Sequence, residues 1–342
     1  MSQLTDVTRA IFATLAIAVI VGCAGATAGA IQPENGVDFI VSTFQNYPII
    51  ALDRAEGDGN QSEVELIEAL LASSKLDDRI DDVVIESGNS RYQNVLDRSV
   101  SGRQVPLQEL QAVWRETTQM FGAEADPTTL EVIQAVRARN LRSSQGHTIR
   151  VLAADPPINW NAVRTHAEYE PFLGERNTHA AAVVLDQVLE RHERALLVIG
   201  GGHLTRQPPE ADLPTITMIL ERHYAHSVYV IWALTEFDTL PAGAARKLTN
   251  LPAPSIFPIV GTWVGGLDGR AITSSDTMRR VGNKWIHVSN AWPGLKLEDL
   301  FDGCLFLGLP GSLKTADLKE PTDPSFMKEL ARRRAIMSGA GP

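Results

Sequence analysis

"RALLVIGGGHLTR", residues 194–206, runs from a charged edge through five apolar residues into three glycines and a histidine. A short apolar run bounded by glycine reads as a buried strand. In an open parallel sheet, groups just past the carboxyl end of a strand lie where ligands bind. Gly200, Gly201 and Gly202 lack a Cβ, so the backbone can bend sharply there and another group can approach it closely. The stretch therefore reads either as a strand that delivers His203 to a site or as a plain loop with a surface histidine. What the other strand ends carry decides between the two.

Outward from this stretch, apolar runs alternate with helical patterns. Strand candidates are "PIIAL" (48–52), "DDVVIE" (81–86), "TIRVLAA" (148–154), "LLVIG" (196–200), "SVYVIWAL" (227–234), "SIFPIVG", "KWIHVSN" and "GCLFLGLP". Between them lie "QSEVELIEALLASS", "PLQELQAVWRETTQM", "TLEVIQAVRARNL", "THAAAVVLDQVLERHERA" and "TITMILERHY", and "FMKELARRRAI" follows the last strand. Continuously apolar strands separated by helices predict an α/β fold: a doubly wound, mostly parallel sheet with helices on both faces. No low-complexity linker or internal repeat divides the chain. Residues 31–342 read as a single domain, with a Pro- and Gly-rich extension at about 235–295.

The strand ends carry an unusual set of side chains. "DRAEGDGN" follows the first strand and offers Asp53, Arg54, Glu56, Asp58 and Asn60; "ESGNSRYQ" follows the second and offers Glu86, Asn89, Arg91 and Tyr92. "DPPINW" after the third contributes Asp155 and Trp160, and "GGGH" after the fourth contributes His203. Each has a structural reading: Asp58 as a helix cap, Glu86 paired with Arg91, Asp155 as the start of the turn that Pro156 and Pro157 require. Together, carboxylates beside a histidine suit general acid–base work, with an arginine to stabilise developing negative charge. The same groups suit a divalent metal or a haem iron. Arg176 and His179, in "ERNTHAAAVVLDQVL", share a face at the start of a helix, where positive side chains oppose the helix dipole.

The chain has 342 residues, 44% hydrophobic and 21% charged, with a formal net charge of -10. It has no Lys/Arg-rich run, so its field repels phosphate backbones and it lacks the basic footprint of a nucleic-acid partner. Residues 1–30 read as a signal peptide: "IFATLAIAVIV" has the length of an h-region and is too short to span a bilayer. "IVGC" (20–23) resembles a bacterial lipobox that would lipidate Cys23, and "AGA" (28–30) offers a competing cleavage site. Export to the periplasm or the membrane surface follows, with membrane contact only through the leader or a lipid anchor. Cys304 is the one cysteine beyond the leader and reads as a buried strand residue.

"VVIESGNSRYQNVLDRSVSG", "VWRETTQ", "RVLAADPPINW", "RNTHAAAV" and "LLVIGGGH" together resemble the bacterial branch of the superfamily containing erythromycin esterases, ChaN-type haem-binding lipoproteins and Tiki metalloproteases. The resemblance runs from about residue 48 to about 235, with a weaker echo in "DLFDGCLFLG". It implies an α/β fold with its site at the strand ends, and it marks Glu86, Arg91, Asp155, Arg176 and His203 as site residues. The family's first motif commonly places a Glu and a His one residue apart after the first strand. Here "LDRAEGDGN" has Glu56 and Asp58 but no histidine. A carboxylate there changes both charge and basicity, so the reaction is altered or lost.

The resemblance implies a hydrolase acting on a small-molecule ester or lactone, with His203 or Glu86 activating water and Arg91 or Arg176 holding the oxyanion. Its alternative is a ChaN-like lipoprotein binding haem or another ligand, for which Tyr92 and His203 are the ligation candidates. A metal-dependent protease ranks behind both because histidines are scarce at the strand ends. A non-catalytic member of the fold, binding a partner in the same cleft, competes with all three.

Overall fold

The computed structural model describes residues 29–339, apart from 56–58, 77, 120–126, 144–145, 208–213, 238–239, 273–277, 282–283, 288–293 and 318–320. Glu56, Asp58, Cys23 and all of the leader up to residue 28 lie outside the described residues. At the start of the described chain, the Gly29 N–H donates to the Gly261 carbonyl at 2.8 Å.

The strands are β1 (Glu34–Asn35), β2 (Ile49–Asp53), β3 (Asp82–Asn89), β4 (Arg150–Asp155), β5 (Ala195–Ile199), β6 (Val228–Leu234), β7 (Ser255–Pro258), β8 (Met278–Val281), β9 (Lys284–His287) and β10 (Gly303–Phe306). The helices are α1 (Gly36–Thr43), α2 (Asn60–Ala72), α3 (Gln93–Val100), α4 (Leu107–Arg115), α5 (Thr128–Arg142), α6 (His166–Gly174), α7 (Arg176–Gln187), α8 (Ile216–His223), α9 (Ala244–Leu248) and α10 (Pro324–Ser338). The main sheet has the order β1-β7-β10-β6-β2-β5-β3-β4. From β10 to β4 every neighbouring pair is parallel, while β7 runs antiparallel to both β10 and β1. The fold is the mostly parallel α/β sheet that the apolar strands predict.

The alternation of side chains divides the core in two. Ile50 and Leu52 of β2 join Val83, Val151, Leu196 and residues of α1 to α5 on one face. Ile49 and Ala51 join Val84, Leu152, Leu197 and residues of α7 and α8 on the other. The strands must therefore be apolar at successive positions, and they are. A third, smaller cluster joins Ile158, Trp160 and Tyr169 to Ile336 and Met337, so α10 closes over α6.

This winding creates the site. The chain leaves β2 for β3 through α2 on the first face, and leaves β5 for β6 through α8 on the second. β2 and β5 are neighbours, so their carboxyl-end connections diverge to opposite faces, and the site's cavity lies on the second face at the ends of β3, β4 and β5. The extension at 235–295 splits between the two sheets: β7 enters the main sheet beside β10, while β8 and β9 form a separate antiparallel pair.

Two predicted helices end early. "THAAAVVLDQVLERHERA" leaves the α-helix at Gln187, passes through a tight turn at Leu189–Arg191, and reverses at His192 with φ of 57°. The polar tail is used to bring Ala195 into register with Ile49 and Asp82. "PLQELQAVWRETTQM" stops at Arg115, and the freed Thr117, Thr118 and Gln119 turn toward the strand ends. Helix α6 has little apolar periodicity and contains Pro171; a Thr165–Glu168 capping box starts it.

Candidate functional site

Glu86 sits in β3 where the ladder with β4 slips between Ile85 and Asn89. An irregularity of this kind re-aims a side chain beside a site. The Glu86 Oε2 accepts from the Gly200 N–H at 2.7 Å, and Oε1 accepts from Gln119 Nε2 at 3.1 Å. Arg176, the first residue of α7, donates its Nη2 to the same Oε1. His203 Nε2 lies 3.6 Å from that oxygen. Burial pushes the Glu86 carboxyl up, but His203, Arg176 and the Gly200 N–H outweigh it and hold it at about 2. Glu86 is thus a pinned carboxylate, saturated by protein donors.

His203 closes a short turn, Gly201–His203, directly after β5. Its Nδ1 is 2.6 Å from Asn177 Oδ1, and Asn177 Nδ2 donates to the Pro214 carbonyl at 3.0 Å. Asp155 ends β4, almost fully buried, and accepts from the Thr118 N–H at 2.7 Å and from the Thr118 hydroxyl at 2.5 Å. Its Oδ1 is 3.9 Å from Arg176 Nε. Burial pushes the Asp155 carboxyl up to about 7 against the opposing pull of Arg176 and Thr118. Glu86, Asp155, Arg176, Asn177 and His203 line one small cavity of about 10 Å³.

One glycine of the three, Gly201, now has a reason. A Cβ at Gly201 would lie 2.6 Å from the Asp53 carboxyl, which accepts the Gly201 N–H at 2.5 Å and the Ala233 N–H at 3.2 Å. Asp53 thereby ties the end of β2 to the connection after β5 and to β6. The Gly200 N–H serves Glu86.

Other sequence candidates lie elsewhere. Asn89 is buried, and its side chain donates to the Glu116 and Ile158 carbonyls while accepting the Arg91 N–H. These bonds brace the loop after β3. Trp160 is a core residue: 1% exposed, stacked on Tyr169 at 5.6 Å and donating to the Thr117 carbonyl. Tyr92 donates its hydroxyl to Glu116, and burial with that carboxylate pushes it up to about 12. Arg91 is exposed, and Arg176 takes the place on Glu86 that the structural reading gave to Arg91. His179 faces Ser90 Oγ at 2.9 Å, and burial lowers its pKa. Thr118, Gln119 and Asn177 complete the site from positions the spacing left unmarked, and Asp53, one of the strand-end carboxylates, braces the connection after β5. The hydroxyl-rich "ETT" after a helical stretch is the signal for the first of these.

Among the described residues no group of three or more His, Cys, Asp or Glu is arranged to hold a metal ion. No helix among them is long and apolar enough to cross a membrane.

What these residues define is an α/β protein with an acid–histidine–arginine cluster at the carboxyl edge of its sheet. No family model matches the chain, and no curated protein matches it. Among solved structures, it is similar to a protein from Bacillus cereus at 9% identity, over 81% of this chain and 94% of that one, with a TM-score of 0.46. A succinoglycan biosynthesis protein is similar at 10% identity, over 82% and 95%, with a TM-score of 0.46. The type III effector HopBA1 is similar at 16% identity, over 61% and 89%, with a TM-score of 0.39.

Proposed function

We propose that this protein is an exported hydrolase of the erythromycin-esterase type, acting on a small ester or lactone. The observation that carries the reading is the single arrangement of His203, Glu86 and Arg176 in one cavity, with His203 Nε2 3.6 Å from a carboxylate that is held ionised. A histidine beside a fixed carboxylate takes a proton from water, and the carboxylate stabilises the imidazolium that results. The hydroxide attacks the carbonyl carbon, and Arg176, held between Glu86 and Asp155, faces the developing oxyanion. Collapse of the adduct breaks the acyl–oxygen bond, and the proton on His203 passes to the leaving alkoxide. Both Glu86 oxygens already accept from Gly200, Gln119 and Arg176, which leaves the role of base to His203.

The residues do not fit a haem. The Tyr92 hydroxyl is engaged by Glu116, and His203 faces a carboxylate. Export through the 1–30 leader, with a lipid on Cys23 as the anchor, belongs to the same proposal. The test is hydrolysis of a panel of esters and lactones by the leader-free protein. Glu86→Gln and His203→Ala are each expected to lower kcat by roughly a hundredfold or more, the lower end of what acid–base catalysis contributes. A panel without turnover, or one hydrolysed equally by both variants, would sink the reading; haem titration followed at the Soret band would then take precedence.

A further inference from the structure

We infer that Asn177 is the positioning residue of the site: it fixes His203 as the Nδ1–H tautomer and so makes Nε2 the nitrogen that exchanges a proton in the cavity. The inference rests on the hydrolase reading for its consequence in catalysis, and on geometry alone for the tautomer. An amide side chain has one donor end and one acceptor end, and its orientation is read from the groups it meets. A carbonyl oxygen accepts and never donates, so the 3.0 Å bond to the Pro214 carbonyl makes that end of Asn177 the NH₂. The other end, 2.6 Å from His203 Nδ1, is then Oδ1, an acceptor. Nδ1 must carry the hydrogen.

The chain of constraint runs from the backbone at Pro214 through Asn177 to the imidazole ring. It leaves Nε2 turned to Glu86 Oε1 at 3.6 Å, in the cavity that both residues line. Asn177 lies next to Arg176 in the first turn of α7, so one turn of helix supplies both the cation on Glu86 and the amide on His203. An amide oxygen on the second ring nitrogen is how Cys–His–Asn hydrolases hold their histidine. Asn177 is a neutral orienting group; a carboxylate in its place would add a negative charge beside the ring and raise its basicity.

The test reads the ring directly. In ¹⁵N-labelled leader-free protein at alkaline pH, the His203 resonances, assigned by their loss in His203→Ala, are expected to show protonated Nδ1 and unprotonated Nε2. The Nε2–H tautomer in that spectrum would overturn the proposal whether or not any ester is hydrolysed. Asn177→Asp is expected to raise the His203 pKa and move the acidic limb of the kcat/KM profile to higher pH. Asn177→Ala is expected to lower kcat by roughly a hundredfold, as loss of an oriented base does, with KM unchanged. An unmoved limb in Asn177→Asp, in protein whose circular dichroism matches the parent, would equally overturn it. Absence of turnover with the Nδ1–H tautomer present would leave this assignment standing and remove the hydrolase reading alone.

Discussion

The Asp53 carboxyl lies so close to Gly201 that a single methyl group at 201 has nowhere to go. The clash is with a carboxylate held in place by two backbone N–H groups, not with the loose end of a long chain. Overpacking of this kind costs about 1–3 kcal/mol. Gly201→Ala is therefore expected to lower stability by that amount in urea unfolding, and the penalty is expected to shrink when Asp53→Ala is added. A penalty that is the same in both backgrounds would show that the fit with Asp53 is not its origin. The glycine run and His203 were legible as a site signal from spacing alone. Asp53 was legible as a strand-end carboxylate but its partner was not, because nothing in "IIALDRAE" shows that this residue meets a glycine 148 positions later.

At the scale of elements, β4 is one of the two edges of the main sheet, and such an edge invites pairing with another chain. Two side-chain amides occupy it. Gln93 donates to the Val151 carbonyl at 2.7 Å and accepts the Ala153 N–H at 2.9 Å, so it stands in for a neighbouring strand. Asn140 does the same for Ile149, accepting its N–H and donating to its carbonyl, each at 2.8 Å. Gln93→Ala strips two backbone groups of their partners. It is expected to cost about 1–3 kcal/mol, the penalty for unsatisfied buried groups. Sedimentation should also show concentration-dependent self-association that the parent lacks; a monodisperse variant of parental stability would contradict the account. The strands themselves were readable as apolar runs, whereas the helix ends were not. Gln187 and Arg115 end their helices because a register and a site demand it, against a local pattern that could have continued.

For the molecule as a whole, burial of carboxylates sets the response to pH. Asp155 is pushed up to about 7 from an ordinary 3.8, and Asp82, buried at the amino end of β3, is raised in the same direction despite Arg150. Between those pH values the folded state keeps protons that the unfolded chain has released. Stability therefore falls as pH rises through that window. Glu86 acts oppositely: its carboxyl is depressed from 4.5 to about 2, so its stabilisation is present above 4.5 and lost as pH drops toward 2. Asp155→Asn keeps a group able to meet the Thr118 N–H and hydroxyl while removing the titration. Its melting temperature is expected to decline less than the parent's between about pH 4 and 7, with the residual slope coming from Asp82. Identical slopes in parent and variant would show that Asp155 does not titrate in that range.

What the sequence determined by itself is the alternation of apolar strands and helices, and through it a wound sheet with polar groups at the carboxyl ends. Local patterning suffices for this, because a strand covered on both faces must be apolar throughout. It also marked Glu86, Asp155, Arg176 and His203. Only the tertiary structure decided that these four share a cavity while Asn89, Trp160 and Tyr92, drawn from the same strand-end segments, are spent on scaffold and core. Strand order, which no local pattern encodes, brings β3 and β5 side by side. That adjacency sets Glu86 against Gly200 and within reach of His203, more than a hundred residues along the chain.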